Sequence, residues 1–229
     1  MRKWTVSDVM TQAVVSVPPD APYRAVVDVL VENRISAAPV VDDFHRVVGV
    51  VSEADLLRKI EYAGDEEPRL FDGRRRRADR TKSKGRQARD LMSSPAITAQ
   101  EQTSIAAAAR LMDGEGVKRL PVVDDAGRLT GIVTRGDLLK VHLRPDDEVQ
   151  ADVRDGIGRD LLSVDAEGVE ITVTGGVVTL SGQVERWSTT ELADRVARQT
   201  LGVVSVVNRL EYTFDDRALV GPGMITGIA

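Results

Sequence analysis

The chain contains no cysteine and only two histidines, and aromatic residues make up 3% of it. Without cysteine there are no disulfides, no thiolate metal ligands and no cysteine nucleophile, a composition suited to a reducing compartment. With so few aromatics, the core must be built from Val, Leu, Ile and Ala. His45 falls in a predicted turn and His142 after a predicted helix. Neither has a second histidine nearby, so no metal site is expected. No apolar run approaches the ~20 residues of a membrane helix. Residues 1–10 lack the apolar stretch of a secretion signal, so the expected location is cytoplasmic. Glycine fingerprints for phosphate or dinucleotide binding are missing. The carboxylates are scattered, and no nucleophile stands beside an activating base. The expectation is a protein that is not an enzyme, with no catalytic residues and no required cofactor.

What is present is an uneven charge and a repeat. Net charge is −5, yet residues 73–89 hold nine basic residues and one acidic. A basic segment on an acidic chain is the pattern of a solvated linker or of an anion-binding tract. No aromatic interleaves Arg74 to Arg89, so base stacking there is not expected and nucleic acid is not an expected partner. Residues 8–58 align with 90–140 at a constant offset of 82, with fourteen identities in 51 positions and no gap. Eleven of the fourteen lie between Pro39 and Leu57: Pro39-Val40-Val41-Asp42-Asp43, Arg46, Gly49 and Val51 of Gly49-Val50-Val51-Ser52, and Asp55-Leu56-Leu57.

Each copy reads as β-α-β-β-α. A short extended stretch at Val14–Val17 comes first. Asp20 is the expected cap of a helix with Pro22 in its first turn. Val26, Val27 and Leu30 recur at helical spacing, as do Ile105, Ala108, Ala109 and Met112. Pro-Val-Val and Gly-Val-Val-Ser form a hairpin around Asp42-Asp43, and a last helix starts at Glu53 or Arg135. Fifty residues bury little core alone, so the two copies should pack into one module. Residues 1–60 and 88–143 are the two copies, and 61–87 a basic flexible linker. Residues 146–214 read differently, as α-β-β-α-β: a helix with Val149, Val153, Ile157 and Leu161 on one face, alternating strands around Gly175-Gly176, a second helix with Leu192, Ala193, Val196 and Ala197, and a strand from Val203 to Tyr212. Residues 215–229 are expected to be a flexible tail. The fold class is mixed α/β (α+β), a tandem repeat module plus a small αββαβ domain.

The duplicated unit resembles the CBS motif, on the Asp-x-Met opening (Asp8, Met10; Asp90, Met92), the Pro-Val-Val-Asp strand and turn, and the Gly-Val-Val-Ser or Gly-Ile-Val-Thr segment followed by Asp55 or Asp137. The resemblance covers 6–58 and 88–140. It implies a pseudo-twofold pair with two clefts that take AMP, ADP, ATP or S-adenosylmethionine. Asp55 and Asp137 would accept from ribose hydroxyls, and Ser52 and Thr134 would sit by a phosphate at a helix N-terminus. Ser16, Ile35 and Ala37, with Thr98, Val117 and Arg119, would line adenine and ribose. Lys118 and Arg119 stand where the first copy has Ser36 and Ala37, so a phosphorylated ligand should favour the cleft these cations reach; Asp137, in the same copy, is the carboxylate to test. The Ser/Thr-x-x-Asp spacing is also that of a capping box, which needs no ligand.

Residues 146–214 resemble a BON domain, on Gly176 to Val184 and Gly202 to Leu210. That resemblance implies contact with phospholipid surfaces. Its second helix mixes Arg186, Arg195 and Arg198 with Glu185, Glu191 and Asp194, the pattern of a solvated face. The implied whole is a regulatory sensor that binds an adenosyl ligand as a homodimer of CBS pairs and signals through dimer and BON-domain arrangement. The alternatives are a ligand-free interaction protein, with another protein as partner, and an adaptor for a membrane surface or nucleic acid working through the BON domain and Arg74–Arg77.

Overall fold

The computed structural model describes residues 4–62, 82, 84–160 and 167–218. Arg74–Arg77, most of the expected linker and tail, and Leu161 lie outside the described residues. The chain divides into two compact units, Thr5–Leu138 and Met1–Trp4 with Leu139–Ala229.

In the first unit, copy one contributes α1 (Tyr23–Glu32), β1 (Ala37–Val41), β2 (Val47–Ser52) and α2 (Glu53–Glu61). Copy two contributes α3 (Ala88–Leu91), β3 (Ala99–Gln100), α4 (Ile105–Gly114), β4 (Arg119–Val123), β5 (Leu129–Thr134) and α5 (Arg135–Leu139). The hairpins β1–β2 and β4–β5 share one register, Ala37 opposite Ser52 and Arg119 opposite Thr134. Each carries a bulge at the Val-Val pair that ends its first strand, between Val40 and Val41 and between Val122 and Val123. The extended stretch expected at Val14–Val17 shortens to one bridge, Val17 beside Val40. Asp20 is not the cap of α1. The helix follows Pro22, whose ring presets φ at −62°, and Asp20 stands two residues too early. At the matching position in copy two, Ser104 caps α4 by accepting from Ala107 N at 3.2 Å.

The repeat sequence also sets the hairpin turns. Asp42 accepts from Phe44 N and Arg46 N, and Asp124 from Ala126 N and Arg128 N, all within 3.0 Å. The turn then needs a positive φ, which copy two meets with Gly127 (77°) and copy one with His45 (63°). A side chain in that region costs roughly 1–2 kcal/mol, partly offset by the freedom glycine brings to the unfolded chain. His45→Gly is therefore expected to stabilise the protein by about 0.5–1 kcal/mol, read as a higher urea midpoint.

The copies join by reciprocal exchange. Thr11 of copy one pairs with Ile132 on β5, and Ser93 of copy two pairs with Val50 on β2, each through two backbone bonds of 2.8–3.0 Å. The hairpin tips bond to one another, Val47 N to Gly127 O at 3.1 Å and Leu129 N to His45 O at 3.0 Å. Met10 lies on Gly131 and Met92 on Gly49, where a Cβ would collide with the methionine side chain. All these pairs obey the offset of 82, so the sequence repeat is a pseudo-twofold axis. Val26, Leu30, Val40, Val51, Leu56 and Leu91 form a buried cluster that draws on both copies.

The second unit is a helix-on-sheet layer. It comprises α6 (Asp146–Asp160), β6 (Val169–Thr174), β7 (Val177–Arg186), α7 (Trp187–Gln199) and β8 (Ser205–Phe214). The sheet order is β6-β7-β8, antiparallel then parallel, with α7 making the crossover. Alternation puts Ile171, Val178, Leu180 and Val206 on the covered face, against Val149, Val153, Ile157, Ala193 and Val196. Asp146 closes the β6–β7 turn by accepting from Gly175 N and Gly176 N at 2.7 and 2.9 Å.

Candidate ligand-binding cleft

The reciprocal exchange brings the end of β2 and the start of α2 from copy one against the Ser93–Ile97 stretch and the Gly116–Arg119 segment of copy two. Between them lies a cleft of ≈ 510 Å³, inside the range of about 300–1,000 Å³ that small-molecule sites occupy. Its walls are mixed. Val50, Leu57, Pro95, Ile97 and Val117 supply apolar surface; Ser52, Asp55, Lys118 and Arg119 supply polar groups; Glu53 lines it as well.

Asp55 is 5% exposed. Its Oδ2 accepts from Ser52 N at 3.0 Å and from Ser52 Oγ at 2.6 Å, which closes the first turn of α2. Its Oδ1 accepts from Arg58 Nη1 and from Lys82 Nζ, both at 3.0 Å. Lys82 Nζ also donates to Ser93 Oγ at 3.1 Å, so one ammonium ties a carboxylate of copy one to a hydroxyl of copy two. On the opposite wall, Arg119 Nη2 donates to Ser36 Oγ at 2.6 Å and Nη1 to Ala37 O at 3.4 Å. Burial holds the Arg119 guanidinium below its ordinary range, and the negative charge of Glu53 opposes that shift.

Of the residues named from sequence, Ala37, Ser52, Asp55, Val117, Lys118 and Arg119 line this cleft. Thr98 sits just past it, between Ile97 and β3. Ser16, Ile35, Thr134 and Asp137 are not in its lining. Asp137 repeats the local geometry of Asp55, accepting from Thr134 N at 2.9 Å and Thr134 Oγ1 at 2.7 Å. Asp137, the carboxylate singled out for substitution, does not line this cleft. The strand exchange sets the cations of copy two against Asp55 of copy one. Ser93, Pro95, Ala96 and Ile97, absent from the sequence reading, belong to the cleft; their only trace in sequence was the offset itself, which matches Ser93 to Thr11. The two helices that follow the Ser/Thr-x-x-Asp turns also differ, nine residues in α2 and five in α5. Among the described residues, no group of acidic or histidine side chains could hold a metal ion. No described helix is long and apolar enough to cross a membrane.

The family model of the CBS domain matches residues 6–62 and 88–144, and that of the BON domain matches 145–213. Over 142 residues the chain is 30% identical to an uncharacterized protein of Methanopyrus kandleri, covering 62% of this chain and 64% of that one. Over 157 residues it is 33% identical to the chloroplastic CBS domain-containing protein CBSX1 of Arabidopsis thaliana, covering 62% and 65%. The chain thus spans just under two thirds of the length of these relatives. Among solved structures, CBSX2 of Arabidopsis thaliana in complex with AMP superposes with a TM-score of 0.54 at 34% identity, covering 61% of this chain and 97% of that one.

Proposed function

Because the chain belongs to the CBS domain family, as a tandem pair followed by a BON domain, we propose that it is a cytoplasmic, non-catalytic regulator that binds an adenosine-containing ligand in the cleft between Asp55 and Arg119. The observation that carries this reading is the placing of a buried carboxylate and two cations in the lining of one cleft of nucleotide size. A vicinal diol donates two hydrogen bonds, and Asp55 is the acceptor aimed at the cleft. Lys118 and Arg119 present charge-assisted donors for phosphate, Arg119 keeping N–H groups beyond those spent on Ser36 and Ala37. Val50, Pro95, Ile97 and Val117 give a purine apolar surface. The complex of CBSX2 with AMP supports the ligand class. Glu53 disfavours a highly charged polyphosphate at its end of the cleft, which ranks AMP above ATP.

The reading includes a homodimer. Leu57 and Ile60 on α2 are 57% and 70% exposed, side chains that a second copy would cover. Ligand binding would favour one arrangement of the paired motifs and pass that preference to the BON domain.

The test is a thermal-shift series with AMP, ADP, ATP and S-adenosylmethionine. A ligand at ~100 times its Kd adds about 2.7 kcal/mol to folded stability. Asp55→Asn should abolish the shift, while Asp137→Asn should leave the shift from this cleft in place. A shift that survives Asp55→Asn and disappears in Asp137→Asn would move the site to the other carboxylate and reject this cleft.

A further inference from the structure

A carboxylate offers about four acceptor positions, two on each oxygen. In Asp55 all four are taken: Ser52 N and Ser52 Oγ on Oδ2, Arg58 Nη1 and Lys82 Nζ on Oδ1. A ribose diol can therefore be received only if one of these donors leaves. The four are not equally free to do so. The Ser52 bonds close the first turn of α2, and giving them up opens the helix N-terminus. Arg58 lies one turn along the same helix, so its reach to Asp55 is fixed by the helix itself. Lys82 comes from outside the motif, 27 positions along the chain, and its ammonium makes one further bond, to Ser93 Oγ. Both Asp55 and Ser93 line the cleft.

We propose that Lys82 is a built-in competitor for the diol-binding face of Asp55. Its ammonium occupies the acceptor position that a ribose hydroxyl needs, and the affinity of the cleft is set by how readily that ion pair opens. This rests on the adenosine reading of the cleft and adds a specificity-determining residue to it. The Lys82–Asp55 pair is largely shielded, with side chains 21% and 7% exposed, so salt screens it less than a surface pair but still weakens it. Lys82 is also one of the nine basic residues of 73–89.

Uncharged adenosine is the probe, since it carries the diol but no phosphate for a lysine to attract. Titration calorimetry on the full chain should show Lys82→Met binding adenosine at least about tenfold more tightly than the unaltered protein (about 1.4 kcal/mol). The unaltered protein should bind adenosine more tightly as NaCl rises from about 0.05 M to about 0.5 M, and Lys82→Met should not respond. Equal or weaker binding by Lys82→Met overturns the competitor and leaves the cleft standing. Adenosine binding by neither protein rejects the cleft itself, and the competitor with it. Should Lys82→Met fail to fold, the salt series on the unaltered protein decides alone: affinity rising with salt supports the competitor, and flat or falling affinity overturns it.

Discussion

Replacing Gly49 with valine is expected to cost the paired module about 3 kcal/mol or more, and the loss should appear as separation of the two copies rather than as local damage. Gly49 sits in the middle of β2, opposite Val40. A Cβ there overlaps the Met92 side chain and comes within 2.9 Å of Ser93 O. Ser93 O is the acceptor for Val50 N, and Ser93 N returns a bond to Val50 O. The valine therefore both overfills the contact, at roughly 1–3 kcal/mol, and strains two backbone bonds worth about 1 kcal/mol each. The pseudo-twofold axis makes a second expectation: Gly131→Val, under Met10, should cost about the same. Gly114, at the end of α4, has nothing within 4 Å of its absent Cβ. Gly114→Ala should then change stability by less than about 1 kcal/mol, in the stabilising direction. Urea unfolding of the three variants checks the set; equal effects from all three would show that the glycines of β2 and β5 are not contact points.

Arg144→Ala is expected to destabilise the second unit by about 3–5 kcal/mol, enough to unfold a domain of this size. The Arg144 side chain is 5% exposed and pairs with Asp152, itself 15% exposed, at 2.7 Å. Nη1 donates to Leu201 O at 2.8 Å, and the guanidinium lies 5.0 Å from the Trp4 ring centroid. Truncation to alanine takes the cation from a shielded carboxylate and the donor from a carbonyl at the end of α7, and leaves a void under Trp4. Arg144→Met should cost clearly less, because it fills the space although it cannot pair. The control is Arg198→Ala. Arg198 pairs with Asp194 one turn along α7, but it is 55% exposed, so its loss should barely move the melt. Circular dichroism melts of the full chain compare them; an Arg144→Ala melt as mild as that of Arg198→Ala would remove Arg144 from the supports of this unit.

Local structure was legible in the sequence wherever one copy alone determines it. Pro39-Val40-Val41 and Gly49-Val50-Val51 alternate as a hairpin must, Asp42 supplies the turn, and Val149, Val153 and Ile157 mark the buried face of α6. The site was legible only in part, for a physical reason. A repeat shows that two units are alike, but not which edge of one meets which edge of the other. The backbone bonds of Ser93 to Val50 and Thr11 to Ile132 carry no side-chain signature, so Asp55 could not be matched to Lys118 and Arg119 from sequence. Lys82 was hidden for the opposite reason. Among the nine basic residues of 73–89, Lys82, which reaches a carboxylate, looks in sequence like the rest. Asp20 misled because a capping residue is recognised by type, whereas the helix start was set by the fixed φ of Pro22.

Among the described residues, the contacts that join the copies at Thr11, Ser93, His45, Gly127, Met10 and Met92 come in pairs related by the repeat. Each copy therefore offers its partner the same groups that it receives, and two separate polypeptides carrying one copy each would meet through this set of contacts. Duplication of a single self-pairing ancestor, with fusion afterwards, is the history such an arrangement allows.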